Sequence, residues 1–308
     1  MKIVFMGTPD FSVPALEELA KVHQVAAVVT QQDRPKGRGH KMQYTPVKEK
    51  ALELNIPVYQ PEKVKNPEFV DILREINPDV IVVIAFGQIL SKEILDLPKY
   101  GCINVHASLL PKYRGAAPIQ WAVIDGEEET GVTTMYMAEG LDTGDVIDTA
   151  VIKLDEKETG GSLFDKLAIE GGKLIVETLS KLENGTATRT PQDDEKSSYA
   201  GKITKELGQI DFTKPAVTIE RLIRGLNPWP SAYTTLDGKA MKVWDATVEE
   251  GNVTEKPGEI VEIAKHYIKV ATGENYLKIN EIQLAGKKRM PMDAFLNGYS
   301  IKKNILGV

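Results

Sequence analysis

The chain has 308 residues, of which 42% are apolar, 27% charged and 6% aromatic, and its formal net charge is −6. That length favours two domains, and the acidic balance argues against a protein that coats nucleic acid. The one cysteine, Cys102, excludes an internal disulfide framework and suits a reducing cytoplasm.

The longest apolar run, Val80–Phe86, is far shorter than a bilayer crossing requires. The opening "MKIVFMGTPD" has no basic segment followed by a long apolar one. It reads as the first strand of a mature fold and not as a signal peptide.

In chain order, residues 2–7 ("KIVFMG") form a short apolar strand ended by glycine. "SVPALEELAKV" then reads as a helix, with Ser12 as N-cap and Pro14 in the first turn. "QVAAVVT" is a second strand. It leads into a long connection, "QQDRPKGRGHKMQYTP" (31–46), where Arg34, Lys36, Arg38 and Lys41 face a single acid, Asp33. Loops of this length inside an α/β unit are often functional, and cations around glycines make an arm able to track phosphates. A solvated loop is the competing explanation.

Beyond it the pattern repeats, with a helix around Val47–Leu54, a strand in "IPVYQ", a helix around Pro67–Ile76 and a strand in "DVIVVIAFG". Apolar strands alternating with amphipathic helices predict a parallel sheet covered on both faces. Such sheets bind ligands beyond the C-terminal ends of their strands.

"GCINVHASLLPKYRGAAPIQWAVIDG" (101–126) begins as a strand and continues as a helix. "GVTTMYMAE" and "GDVIDTAVIKL" follow as two strands, read as antiparallel, and residues 159–183 as a long helix despite the Gly171–Gly172 pair. Residues 184–203 are polar and aperiodic and read as a linker. Then come a helix in "PAVTIERLIRGL" and short strands with turn signals at Asp237–Gly238 and Thr272–Gly273, which suggest a small β-barrel. The expected domains are 1–184, a linker over 185–205, and 206–308. The last holds 14 basic and 13 acidic residues (+1) against 24 and 31 (−7) in the remainder, so it permits a polyanionic partner.

Several chemistries are excluded by pattern. The first strand turn, "GTPDFS", has one glycine where a dinucleotide fingerprint needs three, and Thr30 and Gln31 stand where its acid belongs. The four histidines (His23, His40, His106, His266) are far apart, so no metal site is expected. There is no P-loop, and "HASLL" lacks a serine-hydrolase elbow.

Asn104 and His106 remain. Residues two apart on a strand project from one face. Asn can donate to a developing oxyanion, and neutral His can take or give a proton near neutral pH. A histidine satisfied by backbone groups at a strand end explains the pair equally well. A third residue, Asp142 in "EGLDTGD", lies between glycines that let the backbone turn a carboxylate toward His106. A solvated turn aspartate is the alternative, and Asp145 and Asp148 are rivals that spacing leaves open.

Together, "NVHASLLPKYRGAAPIQWAVIDGEEETGVTTMYMAEGLDTGDV" (104–146) resembles the core of the folate-dependent formyltransferases. The opening "KIVFMGTPDFSVPALEEL", the loop "RPKGRG" and "LIRGLNPWPSAYT" (222–234) are similar to the branch whose acceptor is methionine on tRNA. The resemblance covers essentially the whole chain. It implies an α/β fold with a Rossmann-like, mostly parallel sheet domain, a linker and a small C-terminal β-barrel resembling an oligonucleotide-binding fold.

It also implies transfer of a formyl group from 10-formyltetrahydrofolate to the α-amine of methionine on initiator tRNA, for translation initiation. By position, Asn104, His106 and Asp142 would be catalytic. Folate would lie along Phe86, Gly87, Gln88, Ile89 and Leu90 and along Ser108, Leu109, Leu110 and Pro111. Arg34, Lys36, Arg38 and Lys41 would reach the acceptor end of the tRNA, Arg38 matching the arginine that matters there. Lys287, Lys288 and Arg289 would add backbone contacts. A cytoplasmic monomer without a metal is expected. Sugar-nucleotide N-formyltransferases and enzymes that release formate from the same folate share the core and are the rival readings.

Overall fold

The computed structural model describes residues 1–36 and 41–307, with Lys36 and Lys41 described by backbone alone. The chain divides into two units. The first comprises Met1–Gly115, Glu129–Lys153 and Phe164–Ala200; the second comprises Ala116–Glu128, Leu154–Leu163 and Gly201–Val308.

The chain runs β1 (Lys2–Gly7), α1 (Val13–Val22), β2 (Gln24–Val29), β3 (Arg34–Lys36), β4 (Lys41–Gln43), α2 (Pro46–Glu53), β5 (Val58–Tyr59), α3 (Pro67–Ile76), β6 (Val80–Ile84), α4 (Lys92–Leu95), β7 (Cys102–His106) and β8 (Arg114–Gly115). After α5 (Pro118–Asp125), which belongs to the second unit, come β9 (Glu129–Tyr136), β10 (Val146–Lys153), α6 (Gly160–Glu183) and β11 (Tyr199–Ala200).

The main sheet of the first unit has the order β10-β9-β7-β6-β1-β2-β5. Pairing is parallel from β7 to β5, while β9 and β10 join antiparallel. Every residue of β6 is buried, as a strand covered on both faces requires. The helix α3 shows why the sequence places helices against this sheet. Pro67 opens it with a preset φ, Asn77 closes it in a left-handed conformation at φ 49°, and Phe69, Val70 and Leu73 pack with Ile81 and Val83.

Ser12 holds the N-cap position of α1 but does not cap by its side chain. Its hydroxyl donates instead to the Ile84 carbonyl at 2.7 Å, tying the helix start to the end of β6. The Gly171–Gly172 pair does not break α6. A Cβ at Gly172 would come within 3.2 Å of Pro14 backbone and one at Gly171 within 3.1 Å of Val105, so the pair lets α6 approach α1 and β7 closely.

The chain crosses from one side of β1 to the other between β5 and β6. The crevice at the C-terminal ends of β1 and β6 is therefore where an α/β sheet of this order presents its ligand site. The end of β7 emerges beside β6 at the same edge, with Val83 opposite Asn104. Up to Ala200 the polar segment expected as a linker belongs to the first unit, where β11 pairs in parallel with β8.

The second unit contains α5, α7 (Ala216–Gly225), β12 (Ala232–Leu236), β13 (Lys239–Glu249), β14 (Ile260–Ile263), β15 (Ile268–Ala271), β16 (Tyr276–Leu284), β17 (Met290–Pro291) and α8 (Met292–Leu296). Its sheet is antiparallel, ordered β12-β13-β16-β15-β14 with β17 on β16. Asp237 and Gly238 both take positive φ (51° and 74°), as the two-residue turn between β12 and β13 demands. Ile219 and Ile223 of α7 join Met241, Val243 and Ile279 in the core. The ladder runs from β12 to β14, and the C-terminal segment bridges the two edges: the Ile260 amide donates to the Asn304 carbonyl at 2.7 Å and the Leu306 amide to the Gly258 carbonyl at 2.8 Å beside β14, while the Gly307 amide donates to the Thr235 carbonyl of β12 at 3.1 Å, as a small barrel requires.

Candidate active site

Three backbone positions around the edge of the main sheet adopt left-handed φ without being glycine: Ala85 (46°), Tyr113 (58°) and Asp142 (52°). Such conformations cost energy and persist where the surroundings impose them, commonly at functional sites. All three lie on loops leaving the C-terminal ends of β6 and β7 or connecting β9 to β10.

His106 is the last residue of β7 and is 6% exposed. Its Nε2 lies 2.9 Å from the Tyr113 carbonyl oxygen. Its Nδ1 faces Oδ2 of Asp142 at 3.7 Å. That same Oδ2 accepts the Gly115 amide at 2.8 Å, which seats the Asp142 side chain against β8. The rival carboxylates are engaged elsewhere. Asp145 accepts from Arg189 at 3.2 Å, and Asp148 accepts from Thr178 at 2.9 Å and pairs with Lys181. Asn104 is half-buried on the same strand face as His106, with Met135 of β9 as its register partner.

The segments 86–90 and 108–111 divide by what their side chains do. Phe86 and Leu90 belong to the core of the first unit. The Phe86 carbonyl accepts from Thr8 at 3.0 Å and from Gln31 at 3.1 Å. Gln88 turns its carboxamide oxygen to the Val64 amide at 2.8 Å. Ile89 projects outward, 88% exposed, and Gly87 is exposed at φ 84°. A cavity of about 480 Å³ opens beside Phe86 and Gly87, lined also by Thr8, Gln31, Arg34 and Tyr44.

In the other segment, Ser108 is fully buried and donates to the Lys112 carbonyl at 2.6 Å. Thr133 donates to the Ser108 carbonyl at 2.7 Å and accepts the Leu110 amide at 3.1 Å. Leu109 is half-buried, Leu110 is buried, and Pro111 follows a cis peptide bond. The Ser108 hydroxyl therefore locks its own turn, and the half-buried members of the segment are Leu109 and Pro111.

Of the basic loop, Arg34 is exposed and lines the cavity. Lys36 and Lys41 are register partners where β3 pairs antiparallel with β4. Arg38 lies outside the described residues. The root of the loop is braced: Lys48 bonds both Asp33 and Gln60, and Gln60 donates to Asp33 and to the Gln31 carbonyl, each at 2.8 Å. Partial burial pushes the Asp33 carboxyl up, but hydrogen bonds from Lys48 and Gln60 outweigh it and hold the group below its ordinary value. In the second unit, Lys287 and Lys288 are exposed, whereas Arg289 pairs with Glu281 and lies 4.7 Å from the centre of the Trp244 ring.

Residues with no periodic signal complete the arrangement. Tyr113 and Gly115 reach His106 and Asp142 through backbone atoms, which sequence patterning does not report. Gln192 accepts from Arg114 and donates to the loop of Asp142, although it sits in a polar run indistinguishable by composition from solvated linker. Among the described residues no group of three or more His, Cys, Asp or Glu is placed to hold a metal ion, and no helix is long and apolar enough to cross a membrane.

Two family models match the chain: one described as formyl transferase over residues 1–179, and one described as formyl transferase, C-terminal domain, over residues 202–300. A methionyl-tRNA formyltransferase of Agathobacter rectalis is 60% identical over 304 residues, covering 98% of each chain. One from Clostridioides difficile is 54% identical over 307 residues, covering 99% of each.

Among solved structures, the sugar 3N-formyl transferase WlaRD, in the presence of dTDP and 5-N-formyl-THF, matches with TM-score 0.68 and 22% identity over 94% of this chain and 99% of its own. HypX from Aquifex aeolicus in complex with tetrahydrofolic acid matches with TM-score 0.62 and 18% identity over 97% of this chain and 47% of its own. At those identities the likeness to the solved structures is one of fold.

Proposed function

The chain belongs to the formyl transferase family, and from that membership we infer that it transfers a formyl group from 10-formyltetrahydrofolate to the α-amine of methionine on initiator tRNA. The observation that carries the choice of acceptor is the full-length likeness to methionyl-tRNA formyltransferases, which includes the basic loop and the second unit.

The site geometry supports the chemistry. The amine nitrogen forms a bond to the formyl carbon, the formyl oxygen takes up negative charge, and the bond from that carbon to the folate nitrogen then breaks. Asn104, with a carboxamide donor on the face shared with His106, is read as stabilising that oxygen. One proton must leave the amine and one must reach the departing nitrogen. His106 is read as the shuttle, with Asp142 facing its Nδ1 to receive the hydrogen bond when the ring is charged.

The fit to the donor's ring systems rests on the two loops that keep apolar side chains outside: Ile89, and Leu141 beside Asp142, which is 59% exposed. Backbone groups of residues 86–90 and 108–111 would meet its polar edge. Arg34, Lys36, Arg38 and Lys41 are assigned to the acceptor end of the tRNA, where an unpaired end is read by shape and phosphate contact. The sheet of the second unit, with Lys287 and Lys288, is assigned to the tRNA backbone. We read the enzyme as a cytoplasmic monomer, with residues 1–184 catalytic, 206–308 binding tRNA, and the segment 185–205 connecting them while packing in the first unit up to Ala200.

The test is direct. Purified chain, Met-tRNA and 10-formyltetrahydrofolate should give formylmethionyl-tRNA. Formylation of a dTDP-linked amino sugar with none of Met-tRNA would overturn the reading, as would release of free formate as the sole product.

A further inference from the structure

We propose that Gln192 is a positioning residue for formyl transfer, holding the loop that carries Asp142 in the conformation that faces His106; this rests on the function proposed above.

The carboxamide of Gln192 is used on both sides. Its Nε2 donates to the carbonyl of Asp142 at 2.8 Å and to the carbonyl of Gly144 at 2.7 Å, and it lies 3.9 Å from the sulfur of Met135. Its Oε1 accepts from Nε and Nη2 of Arg114 at 3.1 and 2.9 Å. A guanidinium cannot accept and a backbone carbonyl cannot donate, so the amide can have only this orientation. Two carbonyls flanking Thr143 are thus drawn to one nitrogen, which fixes a turn whose first residue holds the strained φ of 52°.

The bonds also form a closed circuit. Gln192 grips the Asp142 carbonyl and accepts from Arg114; Arg114 is followed by Gly115; and the Gly115 amide donates back to the Asp142 carboxylate at 2.8 Å. Asp142 is therefore held at backbone and side chain by a single ring of partners. Asp194 anchors the outer edge by accepting from Arg114 Nη2 at 2.7 Å.

The same polar segment holds the other half of the pair. Ser198 Oγ accepts the Tyr113 amide at 2.8 Å, and the Tyr113 carbonyl is the partner of His106. Segment 190–200 thus sets the Asp142 loop through Gln192 and the orientation of His106 through Ser198. Gln192 itself bonds none of the residues assigned to folate or tRNA. Its loss should misplace Asp142 relative to His106 while leaving both substrates able to bind.

The experiment compares steady-state formylation of Met-tRNA by full-length wild type, Gln192→Ala and Gln192→Glu. Glutamate keeps the size and the acceptor for Arg114 but turns an oxygen lone pair on two carbonyls. Both variants should lose about 10- to 100-fold in kcat, the range a small misplacement of catalytic groups costs, with KM for both substrates within about twofold. In an Asp142→Asn background the further loss from Gln192→Ala should be less than about threefold, because the two residues act as a unit.

Wild-type kcat in Gln192→Glu would overturn the proposal, as would a loss confined to KM or full additivity in the double variant. Should Gln192→Ala not fold, Gln192→Glu, checked for an unchanged melting temperature, carries the test. If wild type fails with Met-tRNA but formylates another amine, the function above falls, and the same kcat ratios measured with that amine decide the role of Gln192 separately.

Discussion

Nε2 of His106 lies 2.9 Å from the carbonyl oxygen of Tyr113, and this bond decides which ring nitrogen carries hydrogen. A carbonyl oxygen only accepts, so Nε2 carries hydrogen in either charge state of the ring. Nδ1 is then the nitrogen without hydrogen in the neutral ring, and it is the one 3.7 Å from Asp142. The histidine is satisfied by a backbone group at its strand end and is also poised against a carboxylate. The backbone partner that a strand-end histidine calls for is present, and the carboxylate that an acid–base role would need faces the same ring.

Asp142→Asn should therefore lower kcat by about 100- to 10,000-fold, the usual worth of a positioned acid–base group, while folate affinity stays within a few-fold. Asp148→Asn, which loosens a contact to Thr178 and Lys181 away from His106, should retain most turnover and lower the melting temperature. Steady-state kinetics and folate titration on the two variants check this. Equal turnover in Asp142→Asn and wild type would hand the role to another carboxylate.

Gly144→Ala should cost at least about tenfold in kcat although Gly144 touches no assigned substrate group. An added Cβ would run into the Tyr136 carbonyl oxygen, so the turn carrying Asp142 has to shift. The comparison of kcat with KM for folate separates a shifted turn from a blocked pocket.

Asp33→Asn should raise KM for Met-tRNA several-fold and leave folate binding alone, because it loosens the brace of Lys48 and Gln60 at the root of the basic loop. It also predicts a pH dependence. The folded Asp33 carboxyl lies below its ordinary value of 3.8, so its contribution to stability is present above that value and is lost as the pH falls through the folded one. The gap in melting temperature between wild type and Asp33→Asn should be widest near neutrality and close in acid.

Arg38→Ala should weaken use of Met-tRNA without affecting folate, and the dependence of tRNA binding on the logarithm of salt concentration should flatten by about one unit of slope, as loss of one phosphate contact requires. Binding measured at several salt concentrations tests it, and an unchanged slope would make the arginine a bystander.

Cys102 should be inert in the folded enzyme. Burial pushes its thiol up to about 12, and only 2% of the residue is exposed at the start of β7. Iodoacetamide near pH 8 should leave activity intact, and the same reagent should label the unfolded chain. Rapid labelling of active enzyme would contradict the packing of β7 against its neighbours.

What the sequence determined by itself is what local periodicity encodes. Apolar runs alternating with amphipathic helices specify the parallel sheet, because each strand and helix must bury its own face. The two-residue spacing of Asn104 and His106 puts them on one face for the same local reason. What only the tertiary structure decided is which distant groups meet. Asp142 faces His106 while Asp145 and Asp148 turn to Arg189 and to Thr178 and Lys181, a choice made by the Gly115 amide 27 residues away. Gln192 reaches Asp142 across 50 positions and Arg114 across 78, and α5 joins the second unit although the segments on either side of it lie in the first. Hydrogen bonds of that span leave no periodic trace, since a donor and an acceptor need only arrive at the same place, and the folded sheet is what brings them there.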